Sequence, residues 1–192
     1  MSGFLLHLLR HGPPRWTGLL LGHSDEPAAD PGAAALIARV KGLEVEAVVA
    51  SDLRRAADSA RVIADAFERP LALDPRWREL DFGAWDGLRP DDVPPDDLAY
   101  FWRDPDGNPP PSGERWQDIT SRVRQALCDI GSPTLVVTHA GAMRAALAVL
   151  TGLDHRGVWA LDLPYGALLS LGIWQEEGLC GRIVGLKTGA AS

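Results

Sequence analysis

The amino-acid sequence predicts a single α/β domain of three layers, in which helices flank a mostly parallel central sheet. Length is one ground, because 192 residues suffice for one domain with a sizeable core. Composition is another, because 46% apolar and 23% charged residues are typical of a globular protein. The third is the order of the elements, since short apolar runs alternate with segments of helical pattern. We therefore assign residues 1–192 to one domain.

The chain begins with a strand, a loop and a helix. Phe4–Leu9 is a nearly uninterrupted apolar run, as expected for a buried strand. Residues 13–32 are rich in proline and glycine, which predicts a loop. The helical pattern then runs over Ala33–Leu43.

A second strand and helix follow. "EAVVA" at Glu46–Ala50 has the β-branched character of a strand. Ser51 is a candidate N-cap for a helix over residues 52–68, which Pro70 ends. The short apolar run Leu71–Asp74 predicts a third strand.

Residues 81–111 form a long connection rich in proline, glycine and aspartate. Long connections in compact domains are usually lids or binding loops, so we expect a lid or specificity insertion here. The helical pattern resumes over Ser112–Ile130.

The C-terminal part predicts another strand and helix and then a strand pair. "TLVVTHAG" at Thr134–Gly141 is a strand that ends in a turn, and a helix follows over Ala142–Leu150. Gly166–Trp174 and Gly181–Leu186 have the pattern of an antiparallel pair.

Charge and composition exclude several classes of function. The net charge of −7 argues against a nucleic-acid partner, which needs a basic face. No apolar run reaches the ~18 residues of a membrane helix, and the N-terminal run is too short for a signal-peptide core. We therefore expect a cytoplasmic protein with no membrane partner. Cys128 and Cys180 match no metal or redox spacing, so we expect reduced, structural thiols and neither a metal nor a cofactor.

Three of the predicted strands lead into residues suited to chemistry. The first is followed by Arg10 and His11, the second by a helix with Arg55 in its first turn, and a later one by His139 and Ala140. The carboxyl ends of parallel strands meet at one edge of a sheet, where ligands bind. Each residue alone could be a structural or solvated side chain. Together they predict a site for an anion, with free N–H groups at helix N-termini.

Four sequence blocks carry the candidate residues. "LLRHG" carries His11, and "SDLRRAADSARVIA" carries Arg55. "WRELDFGAWDG" carries Glu79, and "VVTHAGAMRAAL" carries His139. These blocks resemble those of the histidine phosphatase superfamily, the phosphoglycerate-mutase-like proteins; they stand in the order of that family and span most of the chain. The resemblance implies a phosphoglycerate-mutase-like fold and phosphoryl chemistry.

The resemblance also implies a role for each residue at the predicted sheet edge. His11 would be the nucleophile, whose ring nitrogen attacks phosphorus and forms a phosphohistidine. Arg10, Arg55 and His139, with the backbone N–H of Ala140, would bind the phosphoryl oxygens and stabilise their charge.

Glu79 would be the general acid, which protonates the leaving alkoxide and then activates the water that cleaves phosphohistidine. The alternative for Glu79 is a surface carboxylate beside Arg76 and Arg78. The flanking block "LDFGAWDG" favours the catalytic role.

The first block departs from the family pattern. Many members continue with Glu-Thr and then Asn, whereas Pro13 and Pro14 follow here and Thr17 falls at the Asn position. Thr17 is therefore one candidate for a phosphate ligand. The backbone near Gly22 and the side chain of His23 are the alternative.

The connection over residues 81–111 bears on the substrate. Its aspartates outnumber its arginines, and an acidic lid would repel a second phosphate, which favours a plain phosphomonoester. "AYFWRDPDGNPPPSGERW" and the opening "RHGPP…LGHSDEP" resemble the α-ribazole phosphatase branch. Trp102, together with Tyr100, Phe101 and Trp16, would stack on a flat leaving group or simply pack in the fold.

The sequence thus predicts a phosphomonoesterase acting on a small phosphorylated metabolite, with α-ribazole 5'-phosphate as one candidate. The alternatives are a phosphoglycerate mutase and a non-catalytic phosphate-binding module. The second is disfavoured because binding alone needs no general acid. The chain would act as a monomer or a homodimer.

Overall fold

The computed structural model describes residues 3–30, 33–176 and 178–188, and within these ranges six strands form one sheet. The strands are β1 (Phe4–Arg10), β2 (Ala47–Ala50), β3 (Leu71–Leu73), β4 (Thr134–Thr138), β5 (Leu168–Trp174) and β6 (Cys180–Lys187). Their order across the sheet is β3-β2-β4-β1-β5-β6. The first four strands run parallel, whereas β5 is antiparallel to both β1 and β6. The predicted mostly parallel sheet with a final antiparallel pair is confirmed.

Helices cover both faces of the sheet. They are α1 (Ala34–Val40), α2 (Arg54–Phe67), α3 (Pro95–Arg103), α4 (Trp116–Cys128), α5 (Ala140–Thr151) and α6 (His155–Trp159). Side chains of β1 alternate between two apolar clusters, with Leu8 in the cluster of α4 and α5 and Leu9 in the cluster of α1 and α2. All five residues of β4 are buried between these layers, as expected for a parallel strand with covered faces. The three-layer prediction is confirmed. Among the described residues, none of the helices is long and apolar enough to cross a membrane.

Several predicted boundaries were wrong for reasons visible in the backbone. Ser51 does not cap α2, which begins at Arg54, because its Oγ instead accepts the N–H of Leu53 at 3.3 Å in a local turn. The predicted helix over Ala33–Leu43 ends early, and Gly42 adopts a left-handed φ of 81° beyond its end. The predicted start at Ser112 is also wrong, because its φ of 61° is incompatible with a right-handed helix.

The connection over residues 81–111 contains more regular structure than the sequence predicted. It holds two short 3₁₀ turns and the nine-residue helix α3. Pro95 at the first turn and the acidic Asp96 and Asp97 that follow it favour a helix start there. The helix α6 was not predicted at all. The loop predicted over residues 13–32 is described as far as residue 30. Cys128 and Cys180 are both free, as expected for reduced thiols, and both are exposed.

The topology brings the polar strand ends together as predicted. Strand β4 lies between β2 and β1, and all three run in the same direction. The N–H of His11 donates to the carbonyl of Thr138 at 2.9 Å, and the N–H of Ser51 donates to the carbonyl of Val137 at 3.0 Å. The residues that follow β1, β2 and β4 therefore share one edge of the sheet.

Candidate active site

A cavity of about 190 Å³ opens at this edge of the sheet. Among the candidate residues, its lining includes Arg10, His11, Arg55, Glu79 and Ala140. His139 is fully buried directly behind the lining, with its ring centroid 4.9 Å from that of His11. The structure thus brings together the residues of all four sequence blocks.

The protonation of His11 follows from its hydrogen bond. The ring is only 4% exposed, and its Nδ1 lies 2.6 Å from the carbonyl oxygen of Gly12. A carbonyl can only accept, so Nδ1 carries the proton and Nε2 keeps its electron pair. Burial, followed by the charges of Arg55 and Arg10, holds the pKa of His11 well below its usual 6.5. The imidazole is therefore neutral near pH 7, which is the form that can act as a nucleophile.

His139 occupies the N-cap position of α5. Within the described part of the chain, neither of its ring nitrogens has a hydrogen-bond partner, although both are buried. Burial, followed by the charges of Arg55, His11 and Arg10, places its pKa well below 6.5. A neutral, unpartnered imidazole beside the cavity can donate one hydrogen bond to a ligand.

Two arginines supply fixed positive charge. Arg55 is almost fully buried on α2, and its Nη1 and Nη2 donate to the carbonyls of Ser24 at 2.7 Å and Gly22 at 2.6 Å. Burial lowers the pKa of the Arg55 guanidinium below its usual value, and the charges of Glu79 and other acidic groups partly offset this. Arg10 donates from Nη1 to the carbonyl of Leu163 at 2.6 Å.

The Arg10 guanidinium also packs against the aromatic ring of Tyr165. Its central carbon lies 4.0 Å from the ring centroid of Tyr165, a cation–π contact. Its Nε is buried and has no partner among the described residues. The side chains of Arg10 and Arg55 are thus held in place before any ligand binds, which favours recognition of an oxyanion.

Glu79 lies on an irregular stretch between the 3₁₀ turns Pro75–Trp77 and Gly83–Trp85. Its Oε1 accepts the N–H of Leu80 at 2.9 Å. Gly141, in the first turn of α5, faces this carboxylate so closely that a side chain at position 141 would overlap Oε1. The carboxyl group is therefore held against the N-terminus of α5, on the same cavity as His11.

The structure does not bring Thr17, Gly22 or His23 to the cavity. Thr17 is exposed and lies away from it. The N–H of Gly22 is already committed to Asp86 Oδ1 at 2.9 Å. His23 donates from Nε2 to the carbonyl of Glu79 at 3.0 Å, so its ring supports the chain at Glu79 instead of pointing a donor at a ligand.

The aromatic residues predicted to stack on a leaving group divide into two pairs. Phe101 and Trp102 line the cavity, where Trp116 and Trp159 join them. The ring of Trp159 packs 5.9 Å from Trp102 and 4.9 Å from Trp116, between ring centroids. Tyr100 and Trp16 are exposed and lie outside the lining.

Sequence reasoning missed Arg144 as a lining residue. It lies on α5 one turn beyond Ala140, and its Nη2 donates to the carbonyl of Leu161 at 3.2 Å. Burial lowers the pKa of the Arg144 guanidinium below its usual value, while the charge of Glu79 acts in the opposite direction. A detectable signal was present, because Arg144 is a lone cation in an otherwise apolar helical run four residues after a site residue.

The cavity is electropositive within an acidic protein. Of the described lining residues, Arg10, Arg55 and Arg144 are cationic, and Glu79 is the only acid. The arrangement combines a neutral imidazole, a set of oxyanion donors and one carboxyl group. It can bind a tetrahedral anion, attack it and exchange a proton with its leaving group.

Comparisons with known proteins agree with this arrangement. The sequence profile of the histidine phosphatase superfamily (branch 1) matches residues 6–184. The protein named "Probable phosphoglycerate mutase GpmB" of Enterobacter sp. (strain 638) is 34% identical over an alignment of 164 residues, and the alignment covers 77% of this chain and 75% of that one.

Solved structures share the whole fold. The mycobacterial glucosyl-3-phosphoglycerate phosphatase superposes with a TM-score of 0.84 at 25% identity, covering 98% of this chain and 100% of its own. An Escherichia coli protein named "putative alpha-ribazole-5'-P phosphatase" has a TM-score of 0.80 at 24% identity, covering 98% of each chain. At that identity the second likeness concerns the fold alone.

Proposed function

Because the chain belongs to the histidine phosphatase superfamily, we propose that it is a phosphomonoesterase that works through a phosphohistidine on His11. The observation that carries the proposal is the hydrogen bond from His11 Nδ1 to the carbonyl of Gly12, which leaves the electron pair on Nε2 of a neutral ring. Such a nitrogen, beside fixed cations and one carboxyl group, is suited to attack on phosphorus.

In the first step, Nε2 of His11 forms a bond to phosphorus while the bond from phosphorus to the leaving oxygen breaks. Glu79, in its protonated form, gives its proton to that oxygen, so that an alcohol leaves. Charge spreads over the three remaining phosphoryl oxygens. Arg10, Arg55 and His139 stabilise that charge, together with the backbone N–H of Ala140 at the start of α5.

In the second step, water cleaves the phosphohistidine. Glu79 is now a carboxylate and takes a proton from the water as its oxygen attacks phosphorus. The bond from Nε2 to phosphorus breaks, the imidazole returns to its neutral form, and inorganic phosphate leaves. The same carboxyl group acts as acid and then as base, so the cycle restores the starting enzyme.

The proposed substrate is a small phosphorylated metabolite with a flat leaving group, and α-ribazole 5'-phosphate is one candidate. The support is the apolar side of the cavity, where Trp102, Trp116 and Trp159 offer ring surface next to the phosphate donors. The connection over residues 81–111 supplies Trp102 and Phe101, and we propose that it acts as the specificity insertion. A cytoplasmic site of action is part of the proposal.

A phosphoglycerate mutase is the second candidate. It is favoured by the Enterobacter relative of that name and by Arg144, a third cation that could hold another anionic group. A mutase would require a bisphosphate primer and would transfer the phosphoryl group to a second hydroxyl. A phosphatase needs neither.

Rapid acid-free quenching after mixing with ³²P-labelled substrate tests the proposal. The wild-type protein should carry acid-labile, base-stable label, and His11→Asn should carry none. Steady-state rates for a panel of phosphomonoesters, with α-ribazole 5'-phosphate included, then rank the leaving groups. Absence of label with turnover intact would refute the phosphohistidine, and dependence on a bisphosphate primer would favour the mutase. Phosphate binding with neither label nor turnover would indicate the non-catalytic module.

A further inference from the structure

The main chain that carries Glu79 has no regular secondary structure to hold it. Residues 78–82 lie between two 3₁₀ turns and belong to neither a helix nor a strand. Buried carbonyl groups in such a stretch must find donors elsewhere. The position of the Glu79 carboxyl group therefore depends on whatever supplies those donors.

Arg122 on α4 supplies three donors to the main chain at residues 76–79. Its Nη1 donates to the carbonyls of Arg76 and Arg78, both at 2.8 Å, and its Nη2 donates to the carbonyl of Glu79 at 2.8 Å. The intervening carbonyl, that of Trp77, accepts from Thr138 Oγ1 at 2.6 Å. Four consecutive carbonyls are thus bound by side chains from α4 and from the end of β4.

Glu114 fixes the orientation of Arg122. Nε and Nη2 of Arg122 donate to the two carboxylate oxygens of Glu114, each at 2.8 Å. All five N–H groups of the guanidinium therefore have an acceptor. Glu114 Oε2 also accepts the N–H of Asp81 at 2.9 Å. The pair therefore forms hydrogen bonds to the main chain on both sides of Glu79.

Burial and mutual contact determine the ionisation of the Arg122–Glu114 pair. The two side chains are only 17% and 19% exposed. Burial raises the pKa of Glu114, but the hydrogen bond and charge of Arg122 outweigh it and bring the pKa below the usual 4.5. Glu114 is therefore ionised wherever the enzyme would work, and the contact with Arg122 stays charge-assisted.

We infer that Arg122, oriented by Glu114, is a positioning residue that sets the place of the proton donor Glu79 without touching the substrate. The inference rests on the proposed function, in which Glu79 is the general acid. Neither Arg122 nor Glu114 lines the cavity, so their influence on the reaction runs through the main chain. Lysine could not replace Arg122, since a single ammonium with three donors cannot reach three carbonyls and a carboxylate at once.

Misplacement of the acid should have a selective effect. A shift of ~1 Å in a catalytic group can cost about 100-fold in rate. The loss should appear only where the leaving oxygen needs a proton. Binding of phosphate, which depends on Arg10, Arg55 and His139, should be unaffected.

The test compares single-turnover phosphorylation of His11 by propyl phosphate and by 2,4-dinitrophenyl phosphate in Arg122→Lys. We expect a 10- to 100-fold loss with the alkyl ester and less than 3-fold with the aryl ester, whose anion leaves without a proton. The alkaline limb of the propyl phosphate pH profile should also flatten. Arg124→Lys, on the same helix but exposed, is the matched control and should behave as wild type. Added to Glu79→Gln, Arg122→Lys should cause no further loss with propyl phosphate.

Equal losses for the two esters, or full additivity with Glu79→Gln, would overturn the inference. If Arg122→Lys does not fold, the same comparison of the two esters is made with Glu114→Gln. This change keeps the shape of the pair and removes one charge. A selective loss supports the inference, and a uniform loss or none refutes it. A wild-type protein that never forms phosphohistidine would instead refute the proposed function, so the two failures can be told apart.

Discussion

Gly141→Ala is the smallest change that should disable the proton donor. The added methyl would overlap Oε1 of Glu79 and would lie 3.2 Å from its carboxyl carbon. Position 141 lies in the first turn of α5 with ordinary helical backbone, so alanine itself brings no strain. Alanine even favours a helix over glycine by about 1 kcal/mol. The carboxyl group must therefore move, while the helix remains.

The size of the effect follows from what the carboxyl group does. General acid catalysis typically contributes about 10²- to 10⁴-fold, which corresponds to ~2.7–5.5 kcal/mol of barrier. Phosphorylation by an alkyl phosphate should lose most of this factor, measured as the single-turnover rate by rapid quench. The rate with 2,4-dinitrophenyl phosphate should fall much less. The midpoint of urea unfolding should not decrease.

Gly131→Ala is the control, because a methyl there would meet no heavy atom within 4 Å. In the background of Glu79→Gln, the change at position 141 should add little, since the acid is already lost. Equal losses with both esters would refute the reasoning. So would a Gly141→Ala enzyme with the wild-type rate on alkyl phosphates.

Three further outcomes are expected. His11→Ala should lose turnover by several orders of magnitude while its circular dichroism spectrum stays native, and near-normal hydrolysis would remove His11 as the nucleophile. Burial holds both His11 and His139 neutral when folded, so unfolding takes up protons below about pH 6.5. Stability should then fall with decreasing pH by up to ~1.4 kcal/mol per pH unit for each ring. When the free energy of unfolding is measured with urea at several pH values, it should change less steeply with pH in His139→Gln than in the wild type. An unchanged dependence on pH would contradict this expectation. Crystals soaked in orthovanadate should place the oxyanion within roughly 2.7–3.2 Å of donors from Arg10, Arg55 and His139, and an ion bound elsewhere would defeat the proposed site.

The sheet and the edge that carries the site could be predicted because each depends on local signals. Apolar runs predicted the strands, and the junction of each run with Arg10, Arg55 or His139 marked one edge. Parallel pairing then needed only the alternation of strands and helices. These features are repeated along the chain, so an error at one boundary did not disturb the whole.

The support of the site could not be predicted, because it depends on contacts between distant segments. Gly22 and His23 were candidate ligands. In the structure, however, the N–H of Gly22 donates to Asp86, and the ring of His23 donates to the carbonyl of Glu79. Nothing local to residue 122 indicates that its guanidinium holds the chain at Glu79. Sequence spacing shows which residues share an element, whereas these bonds depend on where the elements pack.

The placement of β1 in the sheet has a consequence for how the protein is made. Leu6 pairs with Thr134 on one side and with Leu171 on the other. A ribosome adding about 5–20 residues per second needs on the order of ten seconds to supply those partners after β1 emerges. During that time the apolar strand that leads into Arg10 and His11 has no sheet to join. Pairing so distant in sequence slows folding and leaves the nascent chain open to aggregation or to capture by chaperones. Catalytic competence should therefore arise late, only after the C-terminal strands have left the exit tunnel.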